Sequence, residues 1–355
     1  MSGAMTSKER VAAVFAGELP DRVPRWCGAS EEFWLKAKKE LDLDDEALRR
    51  RMGDDFRRVA SSYNMPDVEL LPGATWCSPF GVQRRGIGYG MPMSHPLNAA
   101  ADEAAVESYP WPDPRLADVS DLRRQAEQWK GQYSILGGQW APFWHDAIDL
   151  VGHEELYYKM YDHPEVVKLI FSKITDFYFE VSKMEFDAAA DVIDIFFIGN
   201  DLGSQNGPLM GTEMFREFIL PSLKRLISLG HDYGLKVMLH CCGGYRDFIP
   251  DLIKAGMDGL HALQPDAAGM DPAGLKRDFG REIVLNGAID SHHILINGES
   301  PWRVKQQTKE ILDIMMPGGR YIGGASHDTI LEETPLENVL AMMDAIDEYG
   351  VYRNR

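Results

Sequence analysis

The amino-acid sequence predicts an α/β protein: a single (β/α)8 TIM barrel over residues 1–355, with an N-terminal helical and β-hairpin elaboration. Three observations carry this. A short apolar run, a loop and an amphipathic helix recur roughly eight times, the mark of repeated βαβ units. Residues with ligating side chains, among them Asp201, His240 and His327, fall just after apolar runs. That is the edge where parallel α/β folds build their sites. No glycine-rich fingerprint follows the first strand, which argues against a doubly wound dinucleotide fold.

The hydrophobic fraction of 45% supplies a core, and the formal net charge of −18 sets the chain against nucleic acid or an anionic membrane as its main partner. No apolar run approaches the length of a membrane span. The first ten residues lack the apolar core of a secretion signal. Cys27, Cys77, Cys241 and Cys242 are too few and too unevenly placed for a disulfide framework. A reduced, cytoplasmic setting is expected.

Thr6-Ser7-Lys8-Glu9 is a capping-box pattern that opens a short helix, with Val11, Val14 and Phe15 on one face. Gly17 and Pro20 end it. Residues 21–26 read as an extended lead into a first strand. Residues 31–57 are highly charged and helical, with Phe33, Trp34, Leu41 and Leu48 as apolar members. Residues 66–96 are rich in glycine, proline and aromatics, including Gly86-Ile87-Gly88-Tyr89-Gly90. They predict short β-hairpins. This insertion, about residues 60–110, is expected over one barrel end. Residues 109–114 form a rigid connector, and 122–129 a helix.

Residues 133–138 read as a strand that delivers Trp140, Phe143, Trp144 and His145. Two readings stay open for these aromatics: loop packing, or the wall of an apolar pocket. Helices follow over 156–162 and 164–186, with Pro164 at a tolerated first-turn position. Residues 191–198 are the clearest strand and deliver Gly199-Asn200-Asp201-Leu202-Gly203. Asp201 is either a site carboxylate or a helix cap. Thr212 opens a helix that Pro221 should kink. Strands at 259–264, 283–287 and 320–324 alternate with helices near 271–279 and 302–315. Thr334-Pro335-Leu336-Glu337 is a second capping box, opening the last helix.

Residues 236–245 concentrate the chemistry. Val237-Met238-Leu239 reads as a buried strand that ends on His240, Cys241 and Cys242; Gly243 and Gly244 then allow a sharp turn. In an extended chain residues i and i+2 share a side. His240 and Cys242 therefore face one point, and Cys241 faces away. Imidazole and thiolate are ligands zinc prefers, and a catalytic zinc keeps one position open. The alternative is a buried histidine beside two thiols that pack as small apolar groups. Two ligands are too few for zinc, so a third must come from elsewhere in the chain.

With His240-Cys241-Cys242-Gly243 and Gly199-Asn200-Asp201-Leu202-Gly203-Ser204-Gln205 in place, the chain resembles the uroporphyrinogen decarboxylase superfamily, whose fold is a (β/α)8 barrel. The likeness runs from about Thr6 to the C-terminus. It includes Glu9-Arg10, Asp21-Arg22-Val23-Pro24, Pro110-Trp111-Pro112-Asp113, Gln264-Pro265-Asp266-Ala267-Ala268-Gly269-Met270-Asp271-Pro272 and Pro317-Gly318-Gly319. True decarboxylases carry an arginine-rich N-terminal segment that grips the carboxylates of the substrate. Here the matching stretch is Trp26-Cys27-Gly28-Ala29-Ser30-Glu31, without arginine. The chain is more similar to a branch of zinc-dependent methyltransferases that work with corrinoid proteins. These carry a His-x-Cys pair on this strand and a further Cys near the last strand. His240 and Cys242 match the pair. The late position holds Ser326-His327, so the resemblance implies His327 as a ligand, with Asp201 as the rival or additional one.

What the resemblance implies is a zinc-dependent methyltransferase moving a methyl group between a small substrate and a corrinoid. The substrate is a thiol acceptor or a methyl ether donor. A histidine in place of a cysteine ligand leaves the metal the stronger Lewis acid and favours ether cleavage; Trp140, Phe143 and Trp144 favour an aryl substrate if they face the barrel mouth. Trp140, Phe143, Trp144 and Gln205 are the candidate cofactor-binding residues; Asp201, Tyr245 and His145 are the candidate catalytic ones. The chain has no corrinoid-domain motif, so the corrinoid is expected on a separate protein or free. Barrels of this kind often pair, which implies a homodimer. The alternatives are a tetrapyrrole decarboxylase and a non-catalytic tetrapyrrole- or corrinoid-binding protein.

Overall fold

The computed structural model describes residues 5–86, 90–327 and 330–352. Seven parallel strands form one curled sheet in the order of the chain: β1 Phe56–Arg58, β2 Ser134–Gly137, β3 Ile195–Gly199, β4 Lys236–His240, β5 Gly259–Leu263, β6 Val284–Ile289 and β7 Tyr321–Ala325. The eighth place is taken by the extended segment that leads in from Arg22. It bridges β7 in parallel at Arg25 and Gly323, then meets Ile330 at Ala29. Pro24 has no N–H to give. The pairing therefore rests on Trp26 N–H donating to Gly323 O and Gly323 N–H donating to Pro24 O, each at 2.9 Å. On the other side Asp55 N–H donates to Arg25 O at 3.0 Å, just before β1. The result is a closed (β/α)8 barrel.

Strands buried on both faces read as unbroken apolar runs, and β3 is buried at every position. Inward-facing Phe56, Leu136, Ile195, Phe197, Met238 and Val284 make one cluster with Val11, Val14 and Phe15 of the helix Ser7–Ala16. That helix plugs the N-terminal end of the barrel. Its Thr6–Glu9 capping box is formed on both sides. Buried Asp55 fastens plug and closing segment together, accepting from Ser7 Oγ, Arg10, Arg22 and the backbone N–H of Arg25. The opposite end of the barrel is left for the site.

Three local expectations are corrected. Residues 31–57 are not helical throughout: helices Glu31–Leu41 and Asp45–Met52 are followed by β1. Gly53, at φ 67°, terminates the second helix with its N–H on Arg49 and Arg50 carbonyls. The box at Thr334 is not formed. The last helix is Leu336–Tyr349 with Pro335 at its cap and no side-chain cap bond, so Thr334 lies one residue too early. The kink expected at Pro221 is a π-helical stretch, Phe215–Ile219, after which Pro221 sits in the first turn of Leu220–Asp232.

The hairpin insertion forms three short antiparallel strands, Trp76–Cys77, Gln83–Arg85 and Met91–Pro92. Phe80 is buried against Phe177 and Tyr178, and Arg84 pairs with Asp149. The insertion thus packs on the helices Phe143–Val151 and Pro164–Ala189. Within the run from Gly86 to Gly90, residues 87–89 lie outside the described residues. Among the described residues no helix is long and apolar enough to cross a membrane. All four cysteines are free thiols.

Candidate metal centre

β4 ends on His240, and Cys242 follows two residues on with its Sγ 3.3 Å from His240 Nε2. Cys241 turns the other way. Its Sγ accepts from Leu202 N–H at 3.3 Å, and burial raises the thiol well above its usual range, so it stays neutral in the core.

The loops after β3 and β4 cross each other. Ser204 and Gly244 bridge, with Gly244 N–H donating to Ser204 O at 2.8 Å. The crossing needs glycine: a Cβ on Gly203 or on Gly243 (φ 75°) would run into the opposite backbone. The crossing carries Asp201 to the end of β4. Its Oδ1 accepts from Cys242 N–H at 2.8 Å and lies 3.3 Å from His240 Nε2; its Oδ2 lies 3.4 Å from His145 Nε2. Burial alone would raise this carboxyl. The hydrogen bonds from His145 and His240 outweigh it and hold Asp201 well below the usual carboxylate range.

One ligand atom from each of Asp201, His240 and Cys242 lies within 4.8 Å of the others. An oxygen, a nitrogen and a sulfur converging at a barrel mouth match the three-ligand, one-place-open donor set of a catalytic zinc. An already ionised carboxylate also suits a metal, which takes its ligands deprotonated. His327 is not in this group. It is exposed, with its ring centroid 6.4 Å from that of His240. Ser326 beside it is buried, and its Oγ accepts from Ser291 N–H at 2.9 Å.

The other face of His240 is held from β5. His261, fully buried and in register with His240, brings its Nδ1 to 3.0 Å from His240 Nδ1. One ring must donate and the other accept. A metal in the site would take the lone pair of His240 Nε2 in place of the hydrogen bond to Asp201, with the ring proton then on Nδ1 and given to His261. The His261 ring is wedged by Trp26 at 4.4 Å and Phe197 at 5.3 Å. Sequence reasoning missed His261, although its place one strand over from His240 was the available signal. It also passed over Asn200. That side chain is fully buried, accepts from Trp144 N–H at 2.9 Å and donates to Ala141 O at 3.1 Å. It thereby sets the start of the helix that carries His145.

The remaining candidates scatter. Trp140 is half-buried at the mouth, 5.3 Å from the His240 ring and 5.0 Å from Phe197. A side chain at Gly199 would overlap its indole. The Arg58 guanidinium lies 5.5 Å from the centre of the Trp140 ring. Phe143 and Trp144 are fully buried in the core against Phe171. Gln205 lies at the mouth: it donates to Asp266 Oδ2 at 3.0 Å and accepts from Gln264 at 2.8 Å. Gln264 in turn accepts from Gly243 N–H at 3.0 Å. Tyr245 is fully buried, and burial pushes its hydroxyl far above the usual range, so it holds its proton.

Comparison with known proteins agrees with the barrel fold. Residues 88–349 match the family model described as uroporphyrinogen decarboxylase (URO-D). The chain is 24% identical over 269 residues to the uroporphyrinogen decarboxylase of Myxococcus xanthus, covering 72% of this chain and 70% of that protein. It is 20% identical over 358 residues to a methylcobamide:CoM methyltransferase of Methanosarcina acetivorans, covering 97% and 98%. Its fold is similar to that of a methyltransferase from Methanosarcina mazei, with a TM-score of 0.66, 20% identity, and 97% and 99% of the two chains covered. With the matched family model spanning most of its barrel, the chain belongs to the uroporphyrinogen decarboxylase family.

Proposed function

We propose that this chain is a zinc-dependent methyltransferase that moves a methyl group between a small substrate and a corrinoid carried by a separate protein. The observation that supports it most is the trio of Asp201, His240 and Cys242, whose donor atoms lie within 4.8 Å of one another at the barrel mouth. These three would hold the metal, with Asp201 in the place the resemblance had offered to His327. When bound, zinc supplies a Lewis acid that draws electrons from the substrate oxygen or sulfur.

The chain's own residues do the rest. His261 holds His240 with Nε2 toward the trio. Asp201 Oδ2 keeps His145 at 3.4 Å, within reach of a substrate heteroatom that must gain or lose a proton. Trp140 beside His240 offers an aromatic face for the body of a substrate. The full-length likeness to a methylcobamide:CoM methyltransferase supports a corrinoid as the other party.

Decarboxylation of a many-carboxylate tetrapyrrole fits less well. Of the three arginines that line the cavity beside residues 26–31, Arg49 and Arg57 are engaged by Asp54 and Glu46, and Arg58 lies over the Trp140 and Phe197 rings. The test is transfer of a labelled methyl group to a reduced corrinoid by the zinc-loaded protein, beside Cys242→Ser. Loss of transfer in the variant supports the reading. Equal transfer refutes it, and metal-free release of carbon dioxide from a porphyrinogen would install the alternative.

A further inference from the structure

Loops that follow neighbouring parallel strands emerge side by side at the barrel mouth. β5 and β6 are such a pair. The loop after β5 carries Asp266, and Asp290 comes directly after β6. A π-helical turn, Ser291–Ile296, follows and brings His293 to face Asp266. One ligand atom from each of Asp266, Asp290 and His293 lies within 4.8 Å of the others, as in the trio of Asp201, His240 and Cys242.

This group differs from a chance gathering of surface charge. Asp290 is only 8% exposed and lines a cavity of about 290 Å3 at the mouth. Its Oδ1 accepts both N–H groups in reach, from His292 at 2.8 Å and His293 at 2.7 Å, and among the described residues its Oδ2 has no donor. A buried carboxylate oxygen without a donor is costly unless something meets it. His293 Nε2 stands 3.8 Å from Asp266 Oδ2, too far for a hydrogen bond. Donor atoms at about 2.1 Å from one cation sit roughly 3–4 Å apart, so a shared ion fits that gap. No lysine or arginine is among the described residues that line the cavity. The group is also tied to the first site. Gly243 N–H donates to Gln264 at 3.0 Å, Gln264 to Gln205 at 2.8 Å, and Gln205 to Asp266 Oδ2 at 3.0 Å.

We infer that Asp266, Asp290 and His293 form a second metal site, for a divalent cation harder than zinc, of the Mn2+ class. The donors are two oxygens and one nitrogen, without sulfur. Carboxylates suit both Mn2+ and Mg2+, and the imidazole favours Mn2+ of the two, because Mg2+ keeps to oxygen and water. The thiolate of Cys242 gives the first site the softer set, suited to zinc. A dication held here balances the two carboxylates of the cavity wall and leaves its other coordination positions to water. The site shares no residue with the trio and stands whether or not the trio holds zinc.

The test is electron paramagnetic resonance of Mn2+ titrated into the full chain after one equivalent of zinc. About one Mn2+ should bind per chain. Asp290→Asn keeps an oxygen to accept from His292 and His293 but loses the charge; His293→Ala removes an imidazole that is 63% exposed. Each should weaken Mn2+ binding at least roughly tenfold and leave zinc content unchanged. Cys242→Ser should bind Mn2+ as the parent does. No Mn2+ bound at about 1 mM would overturn the inference, as would binding that Asp290→Asn and His293→Ala both leave unchanged. Binding lost in Cys242→Ser would overturn it too, because the Mn2+ would then lie in the trio.

Discussion

Replacing His261 by leucine removes the partner of His240 Nδ1 while leaving the three proposed ligands unreplaced. The two nitrogens are 3.0 Å apart and both rings are buried. Left alone, His240 has two courses. It keeps a buried N–H unsatisfied, at about 1–3 kcal/mol, or it moves its proton to Nε2 and loses the lone pair aimed at the trio. One tenfold step in affinity is about 1.4 kcal/mol, so the first course alone weakens zinc by roughly 5- to 150-fold. That brackets the roughly 10- to 100-fold typical for an outer-shell partner. Leucine also gives up the ring contacts with Trp26 and Phe197, at about 0.5–1.5 kcal/mol each, so folding must be checked by near-ultraviolet dichroism. Zinc affinity is read by competition with a chromophoric chelator. His261→Asn, whose Oδ1 can accept the same proton, should recover most of the loss. A folded His261→Leu protein with unchanged zinc affinity would refute the reasoning.

Gly199→Ala forces a Cβ into the Trp140 indole; overpacking of this kind costs about 1–3 kcal/mol, visible as a lower denaturant midpoint. Asn200→Ala leaves Trp144 N–H buried without its partner, at about 1–3 kcal/mol, and takes from Ala141 O one of its two donors, the other being Phe143 N–H; it should lower Tm. Asp146 carries a pH signature. Burial pushes its carboxyl up to about 7, against the hydrogen bond from Tyr178. The unfolded chain releases this proton near pH 4 and the folded chain only near 7. The group's contribution to stability is therefore fully present below the unfolded value and falls as pH rises through that window, by up to about 4 kcal/mol. Asp146→Asn does not titrate, so its Tm should gain on the parent between those pH values; a constant difference would contradict the assignment.

The central strands were legible because a parallel strand buried on both faces is an unbroken apolar run, as in β3 and β4. The i, i+2 spacing likewise placed His240 with Cys242 and turned Cys241 away. β1 was hidden, because Phe56-Arg57-Arg58 is three residues long, two of them charged, directly behind a charged helix. Phe143 and Trp144 were ambiguous for a related reason. The helix begins at Phe143 and turns both rings into the core, while Trp140, still in the loop, stays at the mouth. Ranking Asp201 over His327 required the crossing of two loops through Gly203 and Gly243, a contact between distant segments that no local pattern encodes. His261 sits inside an apolar run, where only its register with β4 marks it.

The metal content of the purified full chain, measured by plasma mass spectrometry beside single alanine variants, tests the trio most directly. The account predicts about one zinc per chain, lost in His240→Ala and Cys242→Ala, weakened in Asp201→Ala and kept in His327→Ala. No zinc after purification without chelator and none taken up on addition would contradict it, as would zinc that follows His327 and ignores Asp201.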